Sequence, residues 1–288
     1  MSSRVKIVTD SASDLPTATT DELGIAVVPL TVRFDTEEFV DGVELSNDAF
    51  WQRVDASATL PSTAAPSPGA FEEAFRAAAE AGHDGVVCIT LSSKLSATHQ
   101  AALAGARAVA DRIDVRVIDS GSCAIGEGLV CVEAAKAANV GASIEEIVSA
   151  VDELKSRVEI YAALDSIDHL RKGGRIGAAG AFFASVLAVK PIISVIDGEV
   201  RPEGRQRTRG RSLDHLVQRV IERSPVDHLA VAHSGAPDLE QFLERLAPVI
   251  DRDRILVSKI GPIVGTHGGP RLIAVCFTSL QKAVVPTP

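Results

Sequence analysis

Short apolar runs recur through the first half of the chain, and each ends in a polar turn that leads into a segment of helical periodicity. Residues 4–11 ("RVKIVTDS"), 84–91 ("DGVVCITL") and 114–120 ("DVRVIDS") have the length and β-branched content of buried strands. Residues 24–34 ("GIAVVPLTVRF") read as a further strand, broken at Pro29. Residues 68–82 start on proline and stop on glycine, the asymmetry of a helix. Residues 128–141 form a second helical stretch ending at Gly141. Ser143 with Glu146 three residues later predicts a capping box for a helix over 143–158. Strands alternating with helices predict an α/β unit with a largely parallel sheet and flanking helices.

The texture changes after about Val158. A strand over 159–165 is followed by paired glycines, the apolar helical stretch 178–189, and a hairpin around Asp197-Gly198. Two more strands, 228–234 and 271–277, flank a helix over 238–250. The chain therefore reads as two domains, an N-terminal α/β domain over 1–156 and a C-terminal α+β domain over 157–288.

The net charge of −9 argues against general nucleic-acid binding, which needs a basic surface to displace counterions. Aromatic residues make up only 4%, too few for base-stacking platforms. No run approaches about 18 consecutive apolar residues, so no membrane-spanning helix is expected. The N-terminus lacks the features of a signal peptide. Cys88, Cys123, Cys131 and Cys276 form no C-x-x-C pair and read as small buried hydrophobes, so the cytoplasm is the expected compartment.

In open parallel sheets, ligands bind at the carboxyl ends of strands. Those ends are rich in hydroxyls here: "TDSASD" at 9–14, Ser92 to Thr98, and "DSGS" at 119–122. Each suits helix capping as well as ligand binding. Ser96, near a helix N-terminus, is the best placed to help hold a small anion. Phosphate-cradling glycine loops are absent, so a nucleotide is not expected. Thr63 sits in a proline-stiffened stretch, and His267 in a glycine-rich one read as a loop. Neither an H-E-x-x-H motif nor a histidine pair suggests a metal. Arg171, Lys172 and Arg175 surround Gly173-Gly174, and Arg201, Arg205, Arg207, Arg209 and Arg211 follow. These clusters suit either phosphate or partner contact, or a solvated face.

Six segments, in order along nearly the whole chain, resemble the DegV family: "VTDSASDLP", "PSTAAPSPGAF", "SSKLSATHQAA", "IDSGSCAIGEGLV", "LDSIDHLRKGGRIGAAGAFFASVLAVKPII" and "IGPIVGTHGGP". The resemblance implies a two-domain α/β protein with one long-chain fatty acid buried between the domains and no covalent cofactor. It implies a binding subunit that presents the acyl carboxylate to a separate ATP-binding fatty acid kinase subunit, which makes acyl phosphate. Transient membrane contact fits such a cargo. The family's carboxylate-binding groups fall on Thr63, on Ser96 or Ser93, and on His267. Its basic turn falls on Arg175, with Arg171 beside it, for partner contact or phosphoryl transfer. The apolar stretch suggests Phe182, Phe183, Val186 and Leu187 as acyl-tunnel walls. The chain departs from the family pattern at Ala64, Ala65, Ala97 and Gly268.

Two other readings compete. One is a stand-alone hydrolase or transferase on a small carboxylate, with Ser96 as nucleophile and His267 as base. It lacks a G-x-S-x-G elbow and an evident acid to orient His267. The other is a lipid sensor or storage protein that works without a kinase.

Overall fold

The computed structural model describes residues 4–183 and 189–279. The first half carries β1 (Val5–Asp10), β2 (Ala26–Val28), β3 (Thr31–Phe34), β4 (Glu37–Val40), β5 (Ser62–Ala64), β6 (Gly85–Thr90) and β7 (Asp114–Asp119). The second carries β8 (Val158–Ala163), β9 (Lys190–Ile196), β10 (Glu199–Gln206), β11 (Val226–His233), β12 (Ile255–Lys259) and β13 (Ile273–Ser279). They build a four-stranded sheet in the order β2-β1-β6-β7, a six-stranded sheet in the order β10-β9-β8-β13-β11-β12, and a three-stranded sheet in the order β4-β3-β5.

The four-stranded sheet is parallel throughout. All six residues of β6 are buried, as a strand covered on both faces requires. One face packs on the helices Pro68–Glu80 and Thr98–Ala108, and the other on Ile125–Asn139 and Ile144–Lys155. The capping box at Ser143 and Glu146 forms as expected. The chain passes from this sheet to the six-stranded one between Lys155 and Val158.

The six-stranded sheet is mixed, with only β11 and β12 parallel. Alternation along its strands separates two apolar layers. Tyr161, Ala163 and Ile192 face the amphipathic helices Arg209–Arg223 and Leu239–Leu246. Ile160, Ala162 and Ile193 face the opposite way, toward Ile125 and Leu129 of the N-terminal half. The predicted hairpin joins β9 to β10, with Asp197 and Gly198 both at positive φ.

The stretch 24–34 is not one strand. Past Pro29 the chain changes sheets: β2 pairs with β1, whereas β3 pairs with β4 and β5. Proline donates no ladder hydrogen bond, which makes it a natural exit from a sheet. The three-stranded sheet was not anticipated, because its strands are short and its alternation weak. Of the apolar stretch 178–189, the helix Ala179–Phe183 is described.

Buried acids tie β1 to its surroundings. Asp10 accepts from Ala12 N–H at 3.0 Å and from Leu91 N–H at 2.9 Å, which pins the ends of β1 and β6 together. Glu127 is fully buried and accepts from Thr9 Oγ1 at 2.9 Å. Burial pushes Asp10 up to about 7, and burial with the nearby Asp10 charge holds Glu127 well above the carboxylate range. A raised carboxyl pKa gives stability that is complete below the unfolded value and is lost as pH rises. Glu127→Gln is therefore expected to outlast the parent in urea at pH 7.5. The advantage should shrink toward zero near pH 4.5. An advantage that does not depend on pH would disprove the assignment.

Candidate functional site

An apolar cavity of about 200 Å³ lies between the face of the mixed sheet that carries Ile160 and Ile193 and the N-terminal half. Its floor includes Ile160 and Ala162 of β8, Ile193 and Val195 of β9, and Ala274 of β13. Ala162 and Ala274 are cross-strand partners, so two small residues side by side leave room above the sheet. Leu91, Leu95, Ile263 and Val264 contribute walls from the other side. The polar side chains lining it are few: Thr63, Ser96, Arg175, His267 and the thiol of Cys123. Burial pushes that thiol up to about 12, so it behaves as an apolar group at neutral pH.

Three separate segments deliver Thr63, His267 and Ser96. Thr63 lies on β5, paired with Val32 of β3. His267 lies on the helix Pro262–Gly268, not in a loop. Proline at the start of that helix suits the first turn, and Thr266 Oγ1 donates to Pro262 O at 2.8 Å within it. Thr63 Oγ1 and His267 Nε2 are 3.0 Å apart although 204 residues separate them in sequence. Ser96 precedes the helix Thr98–Ala108. Its Oγ lies 2.9 Å from Thr98 Oγ1 and accepts from Thr98 N–H at 3.3 Å.

His267 is packed tightly from behind. A side-chain carbon on Gly173 would fall 2.3 Å from His267 Nδ1, so only glycine lets the Gly173-Gly174 turn approach the ring. Among the described residues His267 Nδ1 is buried with no hydrogen-bond partner. Burial, with the nearby positive charges of Arg175 and His169, lowers the His267 pKa to about 4. The imidazole is therefore neutral at pH 7. Arg175 is held by its own donors, Nε to Leu95 O at 3.1 Å and Nη1 to Gly173 O at 2.9 Å. A second hollow shares Thr63, Arg175 and His267 with the cavity and adds Lys172.

The other hydroxyls of the strand ends serve the fold. Ser92 Oγ donates to Gly198 O at 2.8 Å and ties the two halves together. Asp119 accepts from the Ser93 and Gly121 N–H groups, and Ser120 Oγ accepts from Ser122 N–H. Ser93 is exposed and lies outside the cavity wall, because its peptide is turned toward Asp119. Arg171 is also exposed and pairs with Asp168 at 2.6 Å. Phe182 is 43% exposed and lies under Arg205, whose guanidinium carbon is 5.5 Å from the ring centroid. This corrects the expectation that it lines the tunnel, since the helix Ala179–Phe183 turns that ring outward. Phe183 is buried in the same apolar cluster as Ile160 and Ile193 but is not part of the cavity wall. Val186 and Leu187 lie outside the described residues. Sequence reasoning missed the alanine floor and the wall formed by Ile263 and Val264. The three-to-four-residue spacing of those two from His267 was the available signal of a helical face.

A family model described as "Uncharacterised protein, DegV family" matches residues 4–280. A DegV domain-containing protein of Streptomyces coelicolor is 37% identical, covering 97% of this chain and 100% of its own length. A solved structure described as fatty acid binding of a DegV family protein from Thermus thermophilus is similar at 28% identity and a TM-score of 0.89, covering 96% of this chain and 100% of that one. DegV of Bacillus subtilis, described as a fatty acid binding protein, is similar at 29% identity and a TM-score of 0.85, covering 96% and 100%. A stearic acid-binding protein from Eubacterium ventriosum is similar at 28% identity and a TM-score of 0.83, covering 96% and 98%. The chain belongs to the DegV family.

Proposed function

We propose that this protein binds one long-chain fatty acid, with its tail in the apolar cavity and its carboxylate at Thr63, Ser96 and His267. The observation that carries this reading is the 3.0 Å approach of Thr63 Oγ1 to His267 Nε2 beside Ser96 at an otherwise apolar cavity. A neutral hydroxyl and a neutral imidazole can donate to one carboxylate without adding buried charge. Arg175 supplies the cation on the same wall. Fatty acid-binding relatives of similar fold support the ligand class.

The second step of the reading is presentation of the carboxylate to an ATP-binding kinase subunit in the cytoplasm. A carboxylate oxygen would attack the terminal phosphorus, ADP would leave, and acyl phosphate would form. Two anions must approach, so cations have to stand at the meeting point. The hollow that adds Lys172 to Arg175 and His267 supports that role. On this reading the chain is a binding subunit whose chemistry needs the partner. A stand-alone hydrolase fits the geometry less well. Ser96 Oγ pairs with Thr98 rather than His267, and among the described residues no hydrogen-bond partner meets His267 Nδ1.

Native mass spectrometry of the purified protein should find one fatty acid of about 14 to 18 carbons per chain. Each buried CH₂ contributes about 0.8 kcal/mol, so the tail should set affinity. Calorimetry should find palmitate far tighter than acetate, and Ser96→Ala should weaken palmitate about tenfold. Equal affinities for the two acids would end the tunnel reading.

Arg175→Ala should keep its lipid and lose most acyl phosphate formation with a cognate kinase. Lost lipid with normal turnover per bound lipid would instead make Arg175 part of lipid retention.

His267 provides a pH test. A lowered histidine pKa gives stability that is present above the unfolded value of 6.5 and is lost as pH falls toward about 4. In lipid-free protein, His267→Gln should reduce the loss of melting temperature between pH 6.5 and 4.5. A parallel pH profile in parent and variant would contradict a buried neutral imidazole.

A further inference from the structure

A separate hollow, lined by side-chain oxygens, lies where the three sheets meet. Asp14 follows β1 and is 7% exposed, and Asp41 follows β4 and is 6% exposed. Asn47 opens the helix Asn47–Ala56. A side-chain carbon built on Gly261 would come within 2.9 Å of Asp14 Oδ1, 3.9 Å of Asn47 Oδ1 and 4.0 Å of Asp41 Oδ2. Three acceptor oxygens from three chain segments thus surround one small volume. Gly261 has an ordinary φ of −76°, so its backbone does not demand glycine; the space does.

Asp41 accepts from the Ser11 hydroxyl and the Gly42 N–H, but the donors do not meet every acceptor of the cluster. Asp14 Oδ1 accepts from Gly261 N–H at 2.8 Å, but among the described residues Asp14 Oδ2 and Asn47 Oδ1 are buried with no hydrogen-bond partner. The charges acting on Asp14 are those of Asp41 and Asp10, both acidic. Lys259 also lines the hollow, yet among the described residues it forms no ion pair with either carboxylate. Burying carboxyls is costly: burial pushes Asp14 well above the usual carboxylate range and Asp41 up to about 6, toward the neutral form, and a bound positive charge is the other compensation.

We propose that this hollow holds a hard divalent cation, Mg²⁺ or Ca²⁺, through Asp14, Asp41 and Asn47, with water completing the shell. Two carboxylates match the double charge, and an amide oxygen suits an oxygen-preferring ion. Among the described residues no group of three or more His, Cys, Asp or Glu could hold a metal, which disfavours a zinc-type cage and leaves a water-rich shell. The ion would join the end of β1, the lobe of the small sheet and, through the Asp14–Gly261 bond, the segment of the mixed sheet's domain that opens the His267 helix. The proposal does not depend on the identity of the ligand in the apolar cavity.

Trp51 is the only tryptophan in the chain and stands about one helical turn beyond Asn47, which makes it a local sensitiser. The full chain, freed of metal with a chelator, is titrated with Tb³⁺ under indole excitation. Saturable terbium emission is expected, and Ca²⁺ or Mg²⁺ should compete it away. Millimolar Ca²⁺ or Mg²⁺ should raise the melting temperature at fixed ionic strength, where NaCl does not. Asp41→Asn and Asn47→Ala should each weaken the cation at least about tenfold. Asp41→Asn should also raise the cation-free melting temperature, because it removes a buried like charge, so its folding stays measurable. Absence of sensitised emission would overturn the site. Equal cation affinity in parent and both variants, the mark of adventitious surface binding, would do the same.

Discussion

The six-stranded sheet has two apolar faces, and its two amphipathic helices lie on only one of them. The helices Arg209–Arg223 and Leu239–Leu246 cover the layer that contains Tyr161 and Ile192. The layer with Ile160, Ala162 and Ile193 is covered by the short helices that carry Leu170 and Phe183 and by the N-terminal half. Much of the rest follows from that arrangement. Ile125 and Leu129 close part of the face, and Ser92 bonds across to Gly198. Where Ala162 and Ala274 lie side by side, the cover does not reach the floor and a cavity is left. A narrow apolar space of this kind suits a flexible hydrocarbon, since removing its methylenes from water is favourable and needs no directional contacts.

The polar end of the cavity obeys the opposite rule. A carboxylate leaving water needs donors in fixed directions, while every buried charge beside it is costly. On the proposed reading Thr63, Ser96 and His267 answer both demands with neutral donors; Arg175 is anchored by two backbone carbonyls beside them. The glycine at 173 matters here for the space it leaves. Without it the His267 ring would have no room in which to stay buried and neutral.

The buried acids around β1 follow from the same accounting. Asp10 and Glu127 meet backbone and hydroxyl donors at the carboxyl end of the parallel sheet, where the sequence already concentrates polar groups. Asp14 links that edge to Gly261 and so to the helix of His267. The fixed geometry of the polar groups in the cavity therefore depends on ordered acids some distance from it.

The alternation of apolar runs with helical stretches was enough to fix the parallel sheet, because each such element declares its own burial pattern. The capping box at Ser143 and the Asp197-Gly198 hairpin were legible for the same reason: their chemistry is local. Thr63, Ser96 and His267 could be picked out by residue type and by family resemblance, but no local rule says that residues 204 positions apart are in contact. Nor could local pattern tell Ser96 from Ser93, since a turn of one peptide toward Asp119 decides which hydroxyl meets the cavity. Phe182 and Phe183 show the same limit: adjacent aromatic residues in an apolar stretch, one turned out under Arg205 and the other buried. The sequence by itself determined which segments are strands and helices and which side chains carry polar chemistry. Which of those side chains share one site was decided only by the packing of three sheets, because that packing rests on contacts between segments far apart in the chain.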